Sequence, residues 1–212
     1  MTLVYVICEG LTETEFMKEV IKPTLPGHIT LLTIEVGTPG HRGGCVTFPR
    51  TLNSVLPHLR HGGRFVTTFV DLYGLGSGWP LEHGLTSAAM EAHLMEVVQG
   101  QMGAKWNPSW FRPHVQPYEF EGLLFSDPAA MARGMYRSDL VSEFEEIRQA
   151  FPTPENINGT RKTSPSHRII DLVSGYKKVV MGTCAALSVG LPAMERECPH
   201  FREWLEWLRS RP

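Results

Sequence analysis

Carboxylates recur directly after apolar runs in this sequence. Glu9 follows LVYVIC (residues 3–8), Asp71 follows FVTTFV (residues 65–70), and Glu119 and Glu121 follow an extended stretch near residues 112–118. Glu13 stands four residues beyond Glu9. A charge beside an apolar run needs a partner, because burying it alone is costly. Several carboxylates brought to one edge repel each other unless protonated or neutralised. A hard divalent cation removes that conflict, and carboxylate oxygens, waters and substrate phosphates are the ligands Mg2+ prefers. The spacing therefore predicts Mg2+ (or Mn2+) at Glu9 and Asp71, with Glu13 and one of Glu119 or Glu121 completing one or two metal positions. Plainer readings stand beside these. Glu13, Glu119 and Glu121 near helix starts also complement a helix dipole. Two residues apart on a helix, Glu119 and Glu121 cannot share a face.

Phosphate contacts have candidates of their own. Residues 160–178 hold Arg161, Lys162, Arg168, Lys177 and Lys178 against a single acid, Asp171. This is either a solvated helix face or a surface that positions a nucleic-acid backbone without reading its sequence. In the second case Arg168 and Lys178 would neutralise charge on a transferring group. The glycine-rich turn with Arg42, Gly43 and Gly44 is either a plain loop or a backbone nest for phosphate. GLGSG at residues 74–78 is a poor dinucleotide fingerprint, because Trp79 and Pro80 stand where a helix should begin. The nine histidines show no ligand spacing that would suggest zinc.

These side chains need a frame. Residues 3–8, 30–36 and 65–70 read as buried strands. Residues 112–118 read as a fourth, weakened by Pro113 and Pro117. Thr12 and Glu15 have the spacing of a capping box for a helix ending at Pro23. Helices are also predicted over 46–60 and roughly 86–101. Beyond about residue 127 the pattern is wholly helical. Thr153 and Ser164 each precede a proline as caps, and the last helix carries Phe201, Trp204, Leu205 and Leu208 on one stripe. Alternating strands and helices predict an α/β fold with an open, mostly parallel, Rossmann-like sheet flanked by helices. The expected division is a core over 1–126 and a helical extension over 127–212. In such sheets ligands bind outside the carboxyl ends of the strands, where Glu9 and Asp71 fall.

The 212 residues suit one domain or one with an appendage, and the net charge of −2 excludes a generally basic nucleic-acid coat. The four cysteines form no C-x-x-C pair and read as reduced thiols of a cytoplasmic protein. No apolar run has the length of a membrane span.

CEGLTETEF resembles the E-G-x-T-E segment that opens Toprim domains of the overcoming-lysogenization-defect (OLD) nuclease type. With FVDLYGL, PYEFEGLLFSDP, PENINGT, SPSHRII and YKK, the chain is similar to a bacterial family of unknown function with a Toprim-like core. The resemblance implies a Toprim-like fold, Glu9 as the first acidic position with acid/base work, Asp71 as a metal ligand and Glu13 as an addition to the site. One departure stands out. Toprim proteins carry D-x-D where this chain has Asp71-Leu72-Tyr73, and tyrosine cannot replace a carboxylate ligand at neutral pH. The resemblance points to a metal-dependent nuclease acting with a separate ATPase, since no Walker A pattern occurs here, and to defence against phage or mobile DNA. Two alternatives are a non-catalytic adaptor for an ATPase or nucleic acid, with Trp207 off the apolar stripe as a contact, and a small-molecule phosphohydrolase or nucleotidyl transferase. The sequence fixes no oligomeric state.

Overall fold

The computed structural model describes residues 1–38, 41–42, 46–81, 86–158 and 160–212. They form two compact units. The first comprises Met1–Thr14, Leu25–Gln116 and Trp204–Pro212; the second comprises Glu15–Thr24 and Pro117–Glu203. The division thus falls after Gln116, ten residues before the position expected from sequence, and one N-terminal segment joins the second unit.

Along the chain the elements are β1 (Thr2–Cys8), α1 (Leu11–Phe16), β2 (Ile29–Glu35), β3 (Gly37–Thr38), β4 (His41–Arg42), α2 (Phe48–Arg60), β5 (Arg64–Asp71), α3 (Ser87–Met102), β6 (Phe111–Arg112) and β7 (Val115–Gln116). Seven helices follow: α4 (Glu121–Leu124), α5 (Pro128–Gly134), α6 (Val141–Gln149), α7 (Pro165–Leu172), α8 (Lys178–Val189), α9 (Leu191–Glu197) and α10 (Pro199–Arg209).

The first unit carries a five-stranded sheet in the order β2-β1-β5-β6, with β7 also on β5. Every described pairing in it is parallel. This is the mostly parallel, Rossmann-like α/β arrangement expected. The fourth strand is two short pieces, because Pro113 has no N–H to offer the ladder. Register assigns the faces of the sheet. Tyr5 pairs with Val66 and stacks on His58 of α2 at 4.3 Å, so α2 covers that face. On the other face Phe69 meets Trp204 at 5.1 Å, and the Trp204 indole N–H donates to Thr67 Oγ1 at 2.8 Å. Trp204, Leu205 and Leu208 are fully buried, as the C-terminal stripe predicted. Trp207, expected to be available for a partner, lies under the Arg211 guanidinium at 4.4 Å and against Phe65.

The second unit is helical. Its tightest packing is α5 on α8: a Cβ on Gly134 would stand 2.6 Å from Ala185 Cα and 2.7 Å from Cys184 O. Thr153 and Ser164 occupy the predicted N-cap positions, each ahead of a proline, though neither side chain makes a capping hydrogen bond. No described helix is long and apolar enough to cross a membrane.

Candidate functional site

Glu9 sits one residue past β1, and Asp71 ends the adjacent β5. Because Cys8 pairs with Phe69, both acids stand at the carboxyl edge of the sheet. Strict alternation would point them to opposite faces. Glu9 escapes it by lying in a bend after the strand. Its carboxylate folds over the strand end, and Oε2 accepts the Asp71 N–H at 3.2 Å. The chain then turns through a single 3-10 turn, Leu72–Gly74. A Cβ on Gly74 would stand 2.2 Å from Glu9 Oε2 and 2.6 Å from Oε1. Glycine at 74 is therefore required so that this carboxylate can lie against the backbone. Asp71 is 3% exposed and shares the face of Phe69 and Cys8.

Glu13 joins the same edge. It is 3% exposed, and its Oε2 accepts the Gly10 N–H at 3.0 Å. The reach-back contact predicted for Thr12 and Glu15 is thus made two residues earlier, by Gly10 and Glu13. Glu15 is left to pair with Lys18 at 3.5 Å. Sequence reading missed a fourth acid, Glu35. It ends β2 opposite Cys8 and accepts from Thr14 Oγ1 at 3.4 Å. The signal was present, a carboxylate inside the apolar run TLLTIEV, but the strand was extended through it to Val36. Burial raises the Cys8 thiol pKa above its ordinary range, and the negative charges of Glu13 and Glu35 push it the same way.

Glu119 and Glu121 belong to the second unit. Pro117 O accepts the Glu119 N–H at 2.8 Å across Tyr118, whose φ is 57°. This is a tight turn of the rare positive-φ kind. Glu119 then braces the start of α7, accepting from Ser166 N at 2.8 Å and Ser166 Oγ at 3.0 Å, so the helix start it complements is that of α7 and not of its own α4. Glu121 is fully buried and pairs with Lys178 at 3.2 Å, while the Tyr176 hydroxyl donates to its Oε1 at 3.4 Å. Burial, reinforced by the Glu121 charge, keeps the Tyr176 phenol protonated far above its usual range.

The same unit accounts for much of the basic cluster. Arg168 donates through Nε to Thr163 O at 2.7 Å and through a terminal nitrogen to Asn158 O at 3.3 Å, and it lies over the Phe151 ring. Lys162 and Lys177 are exposed. Arg161 is in a 3-10 turn. Arg42 is in β4, and Gly43 and Gly44 lie outside the described residues. The GLGSG stretch is a packing loop: Trp79 is buried and its indole N–H donates to Val46 O at 2.8 Å.

A second metal-compatible pair occurs in the first unit. His114 Nδ1 lies 3.9 Å from Glu91 Oε1, and the imidazole is stacked on Phe69 at 5.1 Å. Carboxylate with imidazole suits a borderline cation such as Zn2+. The two are widely separated in sequence, so no ligand spacing revealed them. Glu9, Glu13 and Asp71 offer oxygen ligands only, the type Mg2+ or Mn2+ takes, but their carboxylate oxygens do not gather within 4.8 Å of one another.

No curated protein and no solved structure matches this chain significantly. One family model does, over residues 8–209, and it spans both units. The chain therefore belongs to the family described as Domain of unknown function (DUF4276).

Proposed function

We propose that this protein is a divalent-metal-dependent phosphoryl-transfer enzyme, a nuclease by preference, working at the carboxyl edge of its parallel sheet. The observation that carries the reading is the Glu9 carboxylate folded onto the Asp71 backbone, with buried Glu13 on the same edge. Acids from adjacent strands stand at the edge where open α/β sheets bind ligands. Glu9, Asp71 and Glu13 would hold Mg2+ or Mn2+. When bound, such an ion polarises a phosphoryl oxygen and offsets charge on the leaving oxygen.

The chain's own residues do the rest. The Asp71 N–H fixes one Glu9 oxygen, which leaves the carboxylate oriented to take a proton from an attacking water. Gly74 keeps the approach to that carboxylate clear of a side chain. Lys162 and Lys177, both exposed, are candidates to contact a nucleic-acid backbone. The resemblance to OLD-type Toprim domains supports this reading, a separately encoded ATPase partner and a role against phage or mobile DNA.

Incubation of the protein with plasmid, single-stranded DNA and tRNA in Mg2+ or Mn2+ tests it. Cleavage lost in Glu9→Gln is the expected result; cleavage that survives the substitution removes Glu9 from the chemistry. One observation favours a non-catalytic adaptor instead. Where D-x-D would supply a second acid, Leu72 is buried and Tyr73 occupies the turn. Metal binding at this edge without cleavage of any substrate would select that reading.

A further inference from the structure

We infer that the groove between α6 and α7 in the second unit is a docking site for a basic amphipathic helix of a partner protein. The groove has a volume of about 430 Å³ and is lined by Glu143, Glu146, Ile147, Ala150, Arg168, Asp171 and Leu172. Its floor is aliphatic, with Ile147 and Leu172 half-buried. Its rim is acidic, with Glu143, Glu146 and Asp171 all exposed.

The cations near this rim make hydrogen bonds away from it, while the charge of Glu143 also acts on Arg137. Arg137 is bound to Asp139 at 2.7 Å. Arg148 turns to Glu197 at 2.9 Å and to Phe151 O at 2.8 Å. Arg168 spends its N–H groups on the carbonyls of Thr163 and Asn158. Three carboxylates therefore border an apolar slot with one guanidinium in its wall, itself turned toward backbone. On α6 the spacing of Glu143, Glu146 and Ala150 keeps these residues on one helical face. A helix laid in the groove would place aliphatic side chains on Ile147 and Leu172 and Lys or Arg against the rim. This does not depend on metal chemistry at the sheet edge.

The test uses the full chain and a fluorescein-labelled helical peptide with Leu at i, i+4 and i+7 flanked by Lys and Arg. Two control peptides replace the basic residues with Glu or the leucines with Ser. Anisotropy should show saturable binding of the basic amphipathic peptide only. A Glu143→Lys/Glu146→Lys double variant should bind it at least about tenfold more weakly and should instead bind the acidic control. Both positions are exposed, so circular dichroism should show an unchanged fold. Absence of saturable binding to the wild-type chain, or equal affinity in the charge-reversed variant, overturns the inference.

Discussion

Replacing Gly74 with alanine separates a metal-holding Glu9 from a merely structural one. The added Cβ would stand 2.2 Å from Glu9 Oε2, 2.6 Å from Oε1 and 2.6 Å from the carboxyl carbon, well inside the 3.0 Å that real Cβ contacts respect. The obstructing atoms end a flexible side chain, so the carboxylate swings away and the fold survives. The lost hydrogen bond to the Asp71 N–H is worth about 1–2 kcal/mol at most. Alanine recovers roughly 0.4–1 kcal/mol of that by restricting the unfolded chain. Global stability without metal should therefore fall by at most about 1.6 kcal/mol. Metal binding should change more. With Mg2+ tenfold above its dissociation constant, binding stabilises the fold by about 1.4 kcal/mol. A tenfold loss of affinity leaves about 0.4 kcal/mol. For a chain of this size each kcal/mol moves the melting temperature by about 2–4 °C. The Mg2+-induced rise should fall from about 3–6 °C to about 1–2 °C. Melting curves with and without MgCl2, run beside Glu9→Gln, read this directly. A full metal-induced rise in Gly74→Ala would refute the reasoning, because the carboxylate cannot keep its place beside that Cβ.

Asp71→Asn should abolish the Mg2+-induced rise in melting temperature, and an unchanged rise takes Asp71 off the ligand set. Lys178→Met leaves the fully buried Glu121 without its cation and should cost about 2–3 kcal/mol in urea denaturation, less than a fully buried pair because Lys178 is 37% exposed; adding Glu121→Gln should restore part of it. Gly134→Ala drives a methyl into α8 and should destabilise by about 1–3 kcal/mol. Burial raises the native pKa values of Cys8 and Cys198 above the ordinary value of 9.0. The unfolded chain therefore releases these protons first, so stability should hold at neutral pH and fall as pH rises past about 9. Cys8→Ala should flatten that slope, and neither thiol should react with a disulfide reagent at pH 8 until the protein unfolds.

The strands were legible because β1, β2 and β5 are continuous apolar runs, the signature of a sheet covered on both faces. The carboxyl-edge positions of Glu9 and Asp71 followed directly. What could not be read is how side chains leave the strand geometry. Alternation alone sends Glu9 away from Asp71, and only the bend after β1 and the bare backbone of Gly74 bring its carboxylate across. Gly74 itself looked like a fragment of a nucleotide loop. The contacts of the acids after residue 117 were not legible for another reason. Apolar periodicity does not show which cation or helix end will claim a carboxylate, and Lys178 and the start of α7 claim Glu121 and Glu119 within the second unit. The pairing of Glu91 with His114 rests on where α3 lies beside β7, and no local spacing announces it. The C-terminal stripe was read correctly; that Arg211 folds back over the Trp207 ring four residues earlier was not legible.

The most direct measurement is an anomalous-difference map from crystals soaked in Mn2+. The account predicts a peak bonded to carboxylate oxygens of Glu9 and Asp71 at about 2.2 Å, with waters completing the shell. A fully occupied peak confined to other residues, such as Glu91 and His114, or no peak at the sheet edge under saturating Mn2+, would contradict it.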